Sequence, residues 1–174
     1  AAADGIRLEG LTLRGGYTVS AISGEGGGGM DLYGCGGVIL SNCILTGNGC
    51  GASSTYPMTQ GGGIRMLAGS LTVEDSLVTS NVVLSTSGGS AYGGGIAVAG
   101  GNLSVIRSVF RSNRAYCNLW NSAPEILGGA IANHGGNILL RNCLLTTNQA
   151  VNTNPSGLNG GRALANVLGV SRIE

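Results

Sequence analysis

Residues that could carry acid–base, nucleophilic or metal chemistry are few in this chain and widely spaced. Its 174 residues include one histidine, His134, and eight acidic residues, of which only Glu74 and Asp75 are neighbours. Acid–base cleavage of a glycosidic bond needs two carboxyl groups facing that bond, and adjacent residues at a corner point in different directions. A calcium site needs clustered carboxylates. The sequence therefore predicts no catalytic residue, no metal site and no cofactor.

The composition excludes several classes of protein. Glycine accounts for 34 residues, 43% of the chain is hydrophobic and 10% is charged. Glycine at this level disfavours a helical bundle, and no run of about 18 apolar residues could form a transmembrane helix. Nine arginines and no lysine against eight acids leave a formal charge of +1, so neither nucleic acid nor an anionic membrane is an expected partner. These features predict one β-rich domain.

An internal repeat is anchored on asparagine. The anchors Asn48, Asn81, Asn113 and Asn148, with Gly16 as a degenerate first member, are 32 to 35 residues apart. Apolar residues recur ten and eight positions before each anchor, which is the alternation of a strand that buries one face. The two columns are Ile6, Val38, Leu71, Leu103 and Ile138, and Leu8, Leu40, Val73, Val105 and Leu140.

The repeats predict an all-β parallel β-helix. Each unit reads as three short strands with glycine-rich corners, followed by a variable loop, and successive units stack as coils about 4.8 Å apart. We expect about five coils of 32–35 residues in a single segment, at 6–29, 30–63, 64–95, 96–130 and 131–163, with a partial coil at 164–174. Because strands begin almost at both termini, we expect an excerpt of a longer solenoid, or ends that stack on neighbouring subunits.

The anchor asparagines have a structural interpretation. Asparagine tolerates the left-handed backbone conformation, and its amide can bond the equivalent amide of the next coil, so the column predicts a ladder. A role as glycan or metal ligands is the alternative. The same register places Asp75 beside Arg107 and Asp31 beside Arg65, which predicts ion pairs between coils rather than catalysis.

The cysteines are odd in number, and no two form a CxxC pair, which disfavours zinc and redox sites. Cys43 and Cys143 share an inward column three coils apart, too far for a disulfide, and are expected to be small buried fillers. Cys35, Cys50 and Cys117 lie near corners or loops. A Cys35–Cys50 bond within one coil and partners outside the segment both remain open.

Binding is expected where the repeats differ. The variable loops are at 17–26, 49–60, 82–92, 114–127 and 149–160, all leaving the coil after the anchor and so emerging on one side. The fourth loop contains Tyr116 and Trp120, whose aromatic rings suit recognition of a protein or a sugar. Folding of Trp120 over the coil as a lid is the alternative.

Two motifs resemble the repeats of the polymorphic outer membrane protein family, whose signatures are GGA[I/L/V] and FxxN. Residues Gly128, Gly129, Ala130 and Ile131 match the first signature, and Phe110 with Asn113 matches the second. The other coils carry variants, with Leu45, Val78 and Leu145 in place of phenylalanine. The resemblance implies a right-handed parallel β-helix, an extracellular or cell-surface location and an adhesive or structural role.

The expected function is therefore that of a non-enzymatic scaffold. Such a protein would act as an adhesin or as a building block of an extracellular appendage or filament. Its expected partners are other coils or subunits stacked end to end, and a surface protein or glycan. The alternative is a segment of a carbohydrate-active, pectate-lyase-like β-helix enzyme whose catalytic residues lie outside these 174 residues.

Overall fold

The chain folds as a stack of parallel strands. A computed structural model describes residues 5–20, 25–52, 58–86, 89–118, 124–153, 158–167 and 169–174. Within these ranges the regular structure is entirely β, with no helix, and every strand pairing is parallel. The predicted fold class, a parallel β-solenoid, is confirmed.

Five sheets run along the stack, and each complete coil contributes one strand to each in the order A, B, C, D, E. Sheet A contains β1 (Ile6–Glu9), β5 (Cys35–Ser41), β10 (Gly69–Glu74), β15 (Asn102–Ile106), β20 (Asn137–Arg141) and β25 (Val170–Ile173). Sheet B contains β2 (Thr12–Arg14), β6 (Ile44–Thr46), β11 (Leu77–Thr79), β16 (Val109–Arg111) and β21 (Leu144–Thr146).

The remaining three sheets follow in the same way. Sheet C contains β3 (Tyr17–Ser20), β7 (Gly49–Ala52), β12 (Val82–Ser85), β17 (Arg114–Cys117) and β22 (Gln149–Asn152). Sheet D contains β8 (Thr59–Gln60), β13 (Ala91–Tyr92), β18 (Glu125–Leu127) and β23 (Leu158–Gly160). Sheet E contains β4 (Met30–Leu32), β9 (Ile64–Met66), β14 (Ile96–Val98), β19 (Ile131–Asn133) and β24 (Leu164–Asn166).

Sheets A, B and E enclose the main core in the predicted register. Leu71 of β10 lies opposite Val38 of β5 and Leu103 of β15, and Val78 of β11 lies opposite Leu45 and Phe110. These side chains belong to one apolar cluster with the inward residues of sheet E, such as Ile96 and Ile131. Because each inward column repeats from coil to coil, burial of this column holds the stack together.

Because of sheets C and D, a coil contains more strands than the sequence predicted. Three strands per coil were expected, whereas a complete coil has five, because the predicted loops begin with a sheet C strand and end with a sheet D strand. Among the described residues, four coils carry all five strands, slightly fewer than the five expected, since those of the first coil include no strand of sheet D. A second, smaller core of Val83, Ala115, Ile126 and their neighbours lies between the two sheets.

The outer face of sheet E is also covered. Tyr92 and Leu127 of sheet D pack against Ala97 and Ala132, which point away from the main core, with Ala165 in the same cluster. Small side chains in this column of sheet E let sheet D approach closely. Sheets C and D therefore form a lobe attached to the side of the main coil.

The corners between sheets contain residues in the left-handed backbone conformation, with positive φ. Between sheets A and B the residues with positive φ are Gly10 and, at 47° to 53°, Asn42, Asp75, Arg107 and Asn142. Between sheets B and C they are Gly15, Gly47, Ser80, Ser112 and Thr147, each one residue before the anchor position. The left-handed conformation predicted for the anchors is thus found one position earlier. Asparagine and aspartate adopt this conformation at lower cost because their short polar side chains can bond locally, which explains Asn42, Asp75 and Asn142.

The chain approaches itself where the lobe joins the coil, at a site we call the neck. There the second glycine of each corner between sheets D and E meets the first residue of sheet C: Gly62 meets Val82, Gly94 meets Arg114 and Gly129 meets Gln149. A Cβ on Gly94 would lie 2.5 Å from two backbone atoms of Arg114 and from the carbonyl oxygen of Gly129. Only glycine permits this approach.

Candidate functional site

The asparagine anchors lie beside the neck and form a continuous column. Asn48, Asn81, Asn113 and Asn148 are buried, with at most 6% of their surface exposed. Nδ2 of Asn48 donates to Oδ1 of Asn81, Nδ2 of Asn81 to Oδ1 of Asn113, and Nδ2 of Asn113 to Oδ1 of Asn148, each at 3.0 Å.

Each amide of the column also bonds backbone. Oδ1 of Asn81 accepts from the backbone N–H of Asn48 at 3.0 Å, and Nδ2 of Asn81 donates to the carbonyl oxygen of Leu45 at 3.0 Å. Asn113 repeats the pattern with the N–H of Asn81 at 3.1 Å and the carbonyl oxygen of Val78 at 2.8 Å. Asn81 and Asn113 thus use both amide hydrogens and bond the oxygen twice, which leaves little capacity for an external ligand.

The small-residue corners before sheet E and the Phe-x-x-Asn segment meet at the neck. A Cβ on Gly95, in the corner before β14, would lie 3.3 Å from both Cγ of Asn113 and Cδ1 of Phe110. Gly129 closes the neck against Gln149, while Ala130 and Ile131 enter the main core, where Phe110 is fully buried. Small residues at the corner and the Phe-x-x-Asn pair are therefore two sides of one packing contact.

The acidic pair Glu74–Asp75 is divided between two partners. Oδ1 of Asp75 accepts a hydrogen bond from Nε of Arg107 at 2.7 Å, and this bond lowers the pKa of Asp75. Glu74 pairs instead with Arg7, with 3.1 Å between Oε1 and Nη2. Asp31 accepts from Nε of Arg65 at 2.9 Å. Both predicted pairs between coils are present, and the adjacent carboxylates do not converge on one point.

His134, the residue after β19, is half-buried. Its ring is 5.4 Å from that of Tyr92, centroid to centroid, and the two planes are tilted by 39°. Oη of Tyr92 donates to Oε2 of Glu125 at 2.9 Å, and burial raises the pKa of Tyr92 to about 12. A phenol with this pKa stays neutral at physiological pH. Packing of Tyr92 on His134 connects sheets D and E, and the hydrogen bond to Glu125 links two strands of sheet D.

All five cysteines are free thiols. The Cys35–Cys50 bond that the sequence left open is not formed: both thiols are free, Cys35 in β5 of sheet A and Cys50 in β7 of sheet C. Cys43 is buried and its Sγ lies 3.3 Å from the carbonyl oxygens of Leu8 and Ser41, whereas Cys143 is only half-buried. Burial raises the pKa of Cys50 to about 11. The described residues contain no group of three or more His, Cys, Asp or Glu side chains that could hold a metal ion.

The predicted binding residues are only partly described. Tyr116 lies on the face of sheet C opposite the smaller core, half-buried, with the Arg114 guanidinium 4.1 Å from its ring centroid. Trp120 lies outside the described residues. In register with Tyr116 are Leu84 and Val151, which extend an apolar row along the stack. Sequence reasoning missed this row, since it treated the whole segment as loop.

A second asparagine site was also missed. Asn133 occupies an inward column that is apolar in the preceding coils, and it is fully buried. Its Nδ2 donates to the carbonyl oxygen of Gly136 and to Oδ1 of Asn166, both at 2.9 Å, and its Oδ1 accepts from the N–H of Gly136. The signal was the glycine three residues after Asn133 and after Asn166, which marks a turn closed by the asparagine side chain.

Comparison with known proteins finds no match to a family model, to a curated protein or to a solved structure. Among the described residues, none lies in a helix long and apolar enough to cross a membrane.

Proposed function

We propose that this chain is a non-enzymatic β-solenoid scaffold of a secreted or cell-surface protein, with repeats of the polymorphic outer membrane protein type and the right-handed coil that this type implies. It would serve as an adhesin or as a unit of an extracellular appendage, stacked against further coils or subunits. The supporting observation is the asparagine column, whose buried amides bond the chain itself in every coil from Asn48 to Asn148.

The charged side chains support the same proposal. Asp75 and Glu74 bond arginines of other coils, so the most plausible acid–base pair in the sequence stabilises the stack. A catalytic dyad keeps at least one carboxyl group free to exchange a proton with substrate. These two acids are held instead by separate cations.

The enzymatic alternative has a direct test. We expect no release of reducing ends or unsaturated products when the purified protein is incubated with polygalacturonate or other acidic polysaccharides. Release that is abolished by Glu74→Gln or Asp75→Asn would contradict the scaffold proposal. Both substitutions keep the shape of the side chain and remove only its charge.

Adhesion has a matched pair of variants. Tyr116 stacks with Arg114 on the lobe, whereas Tyr33 is a highly exposed tyrosine elsewhere on the coil, next to β4. Beads coated with the protein are expected to bind surfaces of whole cells or immobilised glycans, and Tyr116→Ala is expected to lower binding more than Tyr33→Ala. Equal binding by the two variants would show that the lobe is not part of the adhesive surface.

A further inference from the structure

A groove lies on the outer face of sheet A, which we call the sheet A groove. It has a volume of about 480 Å³ and is lined by residues that include Ser70, Thr72, Asn102, Ser104, Asn137 and Leu139. This volume is within the range of sites for small organic ligands. The groove crosses four adjacent strands, β10, β15, β20 and β25, so its lining repeats with the spacing of the coils.

Side-chain size explains the depression. One outward row of sheet A reads Ile39, Thr72, Ser104 and Leu139 in register. The two small hydroxyl residues lie between the larger Ile39 and Leu139, and of these two apolar side chains Leu139 lines the hollow, with Val170 beyond it. Threonine and serine thus shape the groove as well as supplying its polar atoms.

Three hydroxyls of the groove are free, in contrast to the serines and asparagines at the corners. Ser76 and Ser108 at the corner each bond backbone of neighbouring strands, as do the anchor asparagines. Within the described part of the chain, the hydroxyls of Ser70, Thr72 and Ser104 make no hydrogen bond, although all three residues are half-buried. Asn137 donates to Oδ1 of Asn102 at 3.0 Å, which orients the free Nδ2 of Asn102.

The chemistry of the groove favours one class of ligand. Its charges are paired with one another, Arg172 with Glu174 at one end and Arg7 with Glu74 beyond the other end of the row, so no unpaired charge attracts an ion. The central strands pair on both sides, so an extended peptide cannot add to the sheet. Hydroxyls that both donate and accept, next to apolar side chains, match the hydroxyls and the C–H faces of sugar rings.

We propose that the sheet A groove binds a neutral oligosaccharide. The hydroxyls of Thr72 and Ser104 and the amide of Asn102 would bond the sugar hydroxyls, and the apolar side chains of the lining, Leu139 and Val170, would contact ring faces. The inference deepens the proposed surface role, since it names a class of ligand for a scaffold that binds without cleaving. It involves a different face from Tyr116.

The test is calorimetric titration with the neutral trisaccharides maltotriose, cellotriose and xylotriose, and with trigalacturonate as an acidic comparison. We expect saturable binding of at least one neutral trisaccharide, with a dissociation constant of about 1 mM or tighter. Absence of binding to all three, or binding of trigalacturonate alone, would overturn the proposal.

Variants locate the binding site. Thr72→Val with Ser104→Ala removes two hydroxyls and nearly preserves shape, and is expected to weaken binding about tenfold. Ser104→Leu, which fills the hollow, gives a second test if the double variant does not fold. Thr46→Val, on sheet B, is the matched control. Wild-type affinity in both groove variants would overturn the proposal.

Product analysis separates the two proposals. An intact trisaccharide recovered after titration supports both the groove and the non-enzymatic role. A bound but cleaved trisaccharide would support the groove and contradict the non-enzymatic role.

Discussion

Adding one methyl group at the neck should destabilise the fold severely. Gly94 does not have a positive φ, so alanine is allowed there by backbone conformation and only the space is lacking. A Cβ would lie 2.5 Å from backbone atoms of Arg114 and Gly129, where ordinary contact begins at 3.4 Å. No flexible side chain among these neighbours can move away, so the backbone of two coils must shift.

The expected loss is about 3 kcal/mol, the upper part of the usual range for overpacking. In a chain of this length, a loss of 1 kcal/mol lowers Tm by about 2–4 °C, so Gly94→Ala should lower Tm by about 6–12 °C. Thermal unfolding followed by circular dichroism, with urea unfolding as a second measure, gives both quantities.

Gly37 provides the control for this experiment. It lies in β5, also without a positive φ, and the nearest atom to an added Cβ is 3.9 Å away. Gly37→Ala should be neutral or slightly stabilising, because alanine lowers the entropy of the unfolded chain. Tm values for Gly94→Ala and Gly37→Ala within about 2 °C of each other would refute the packing described for the neck.

Three further predictions concern the polar side chains. Asn81→Ala removes the partner of the Asn48 N–H, of Asn48 Nδ2 and of the Leu45 carbonyl oxygen, and should lower the free energy of unfolding in urea by about 3 kcal/mol. Asn137→Ala, at an exposed site, should change it by less than about 0.5 kcal/mol. Equal losses in the two variants would contradict the asparagine column. A thiol reagent should label only the half-buried Cys35 and Cys143 in the native protein and all five thiols after unfolding, as counted by mass spectrometry. Labelling of fewer than five thiols after unfolding without reductant would reveal a disulfide. Arg107 lowers the pKa of Asp75, so the ion pair stabilises the fold fully above the usual aspartate pKa of about 3.9, and this stabilisation is lost as pH falls through the lowered pKa. Asp75→Asn should therefore reduce the fall of Tm in acid. An acid dependence of Tm equal to that of the wild type would contradict this.

The main core could be predicted from the sequence because it follows one rule of burial. Inward residues of sheets A, B and E alternate with outward residues and keep a fixed distance from the anchor, as Leu71, Val73 and Val78 do before Asn81. Spacing and alternation together set strand direction and register. The glycine-rich corners before the sheet E strands could also be predicted, since clusters of glycine mark tight turns.

The lobe was missed for a physical reason. Its core between sheets C and D is built from small side chains such as Cys50, Ala115 and Ala150, which give little hydrophobic periodicity. The distance from the anchor to sheet D also varies between coils, so no column aligns by spacing alone. The left-handed corner before the anchor was missed because Ser80, Ser112 and Thr147 are less usual there than asparagine.

The asparagine column is the central claim, and the exchange of its side-chain amide protons with solvent tests it most directly. In 15N-labelled protein, both Nδ2 hydrogens of Asn81 and Asn113 are engaged inside the stack. We predict that these protons exchange at least about 1000-fold more slowly than those of the exposed Asn137, at rates that approach those of global unfolding. Exchange of the column amides at the rate of Asn137 would contradict the account.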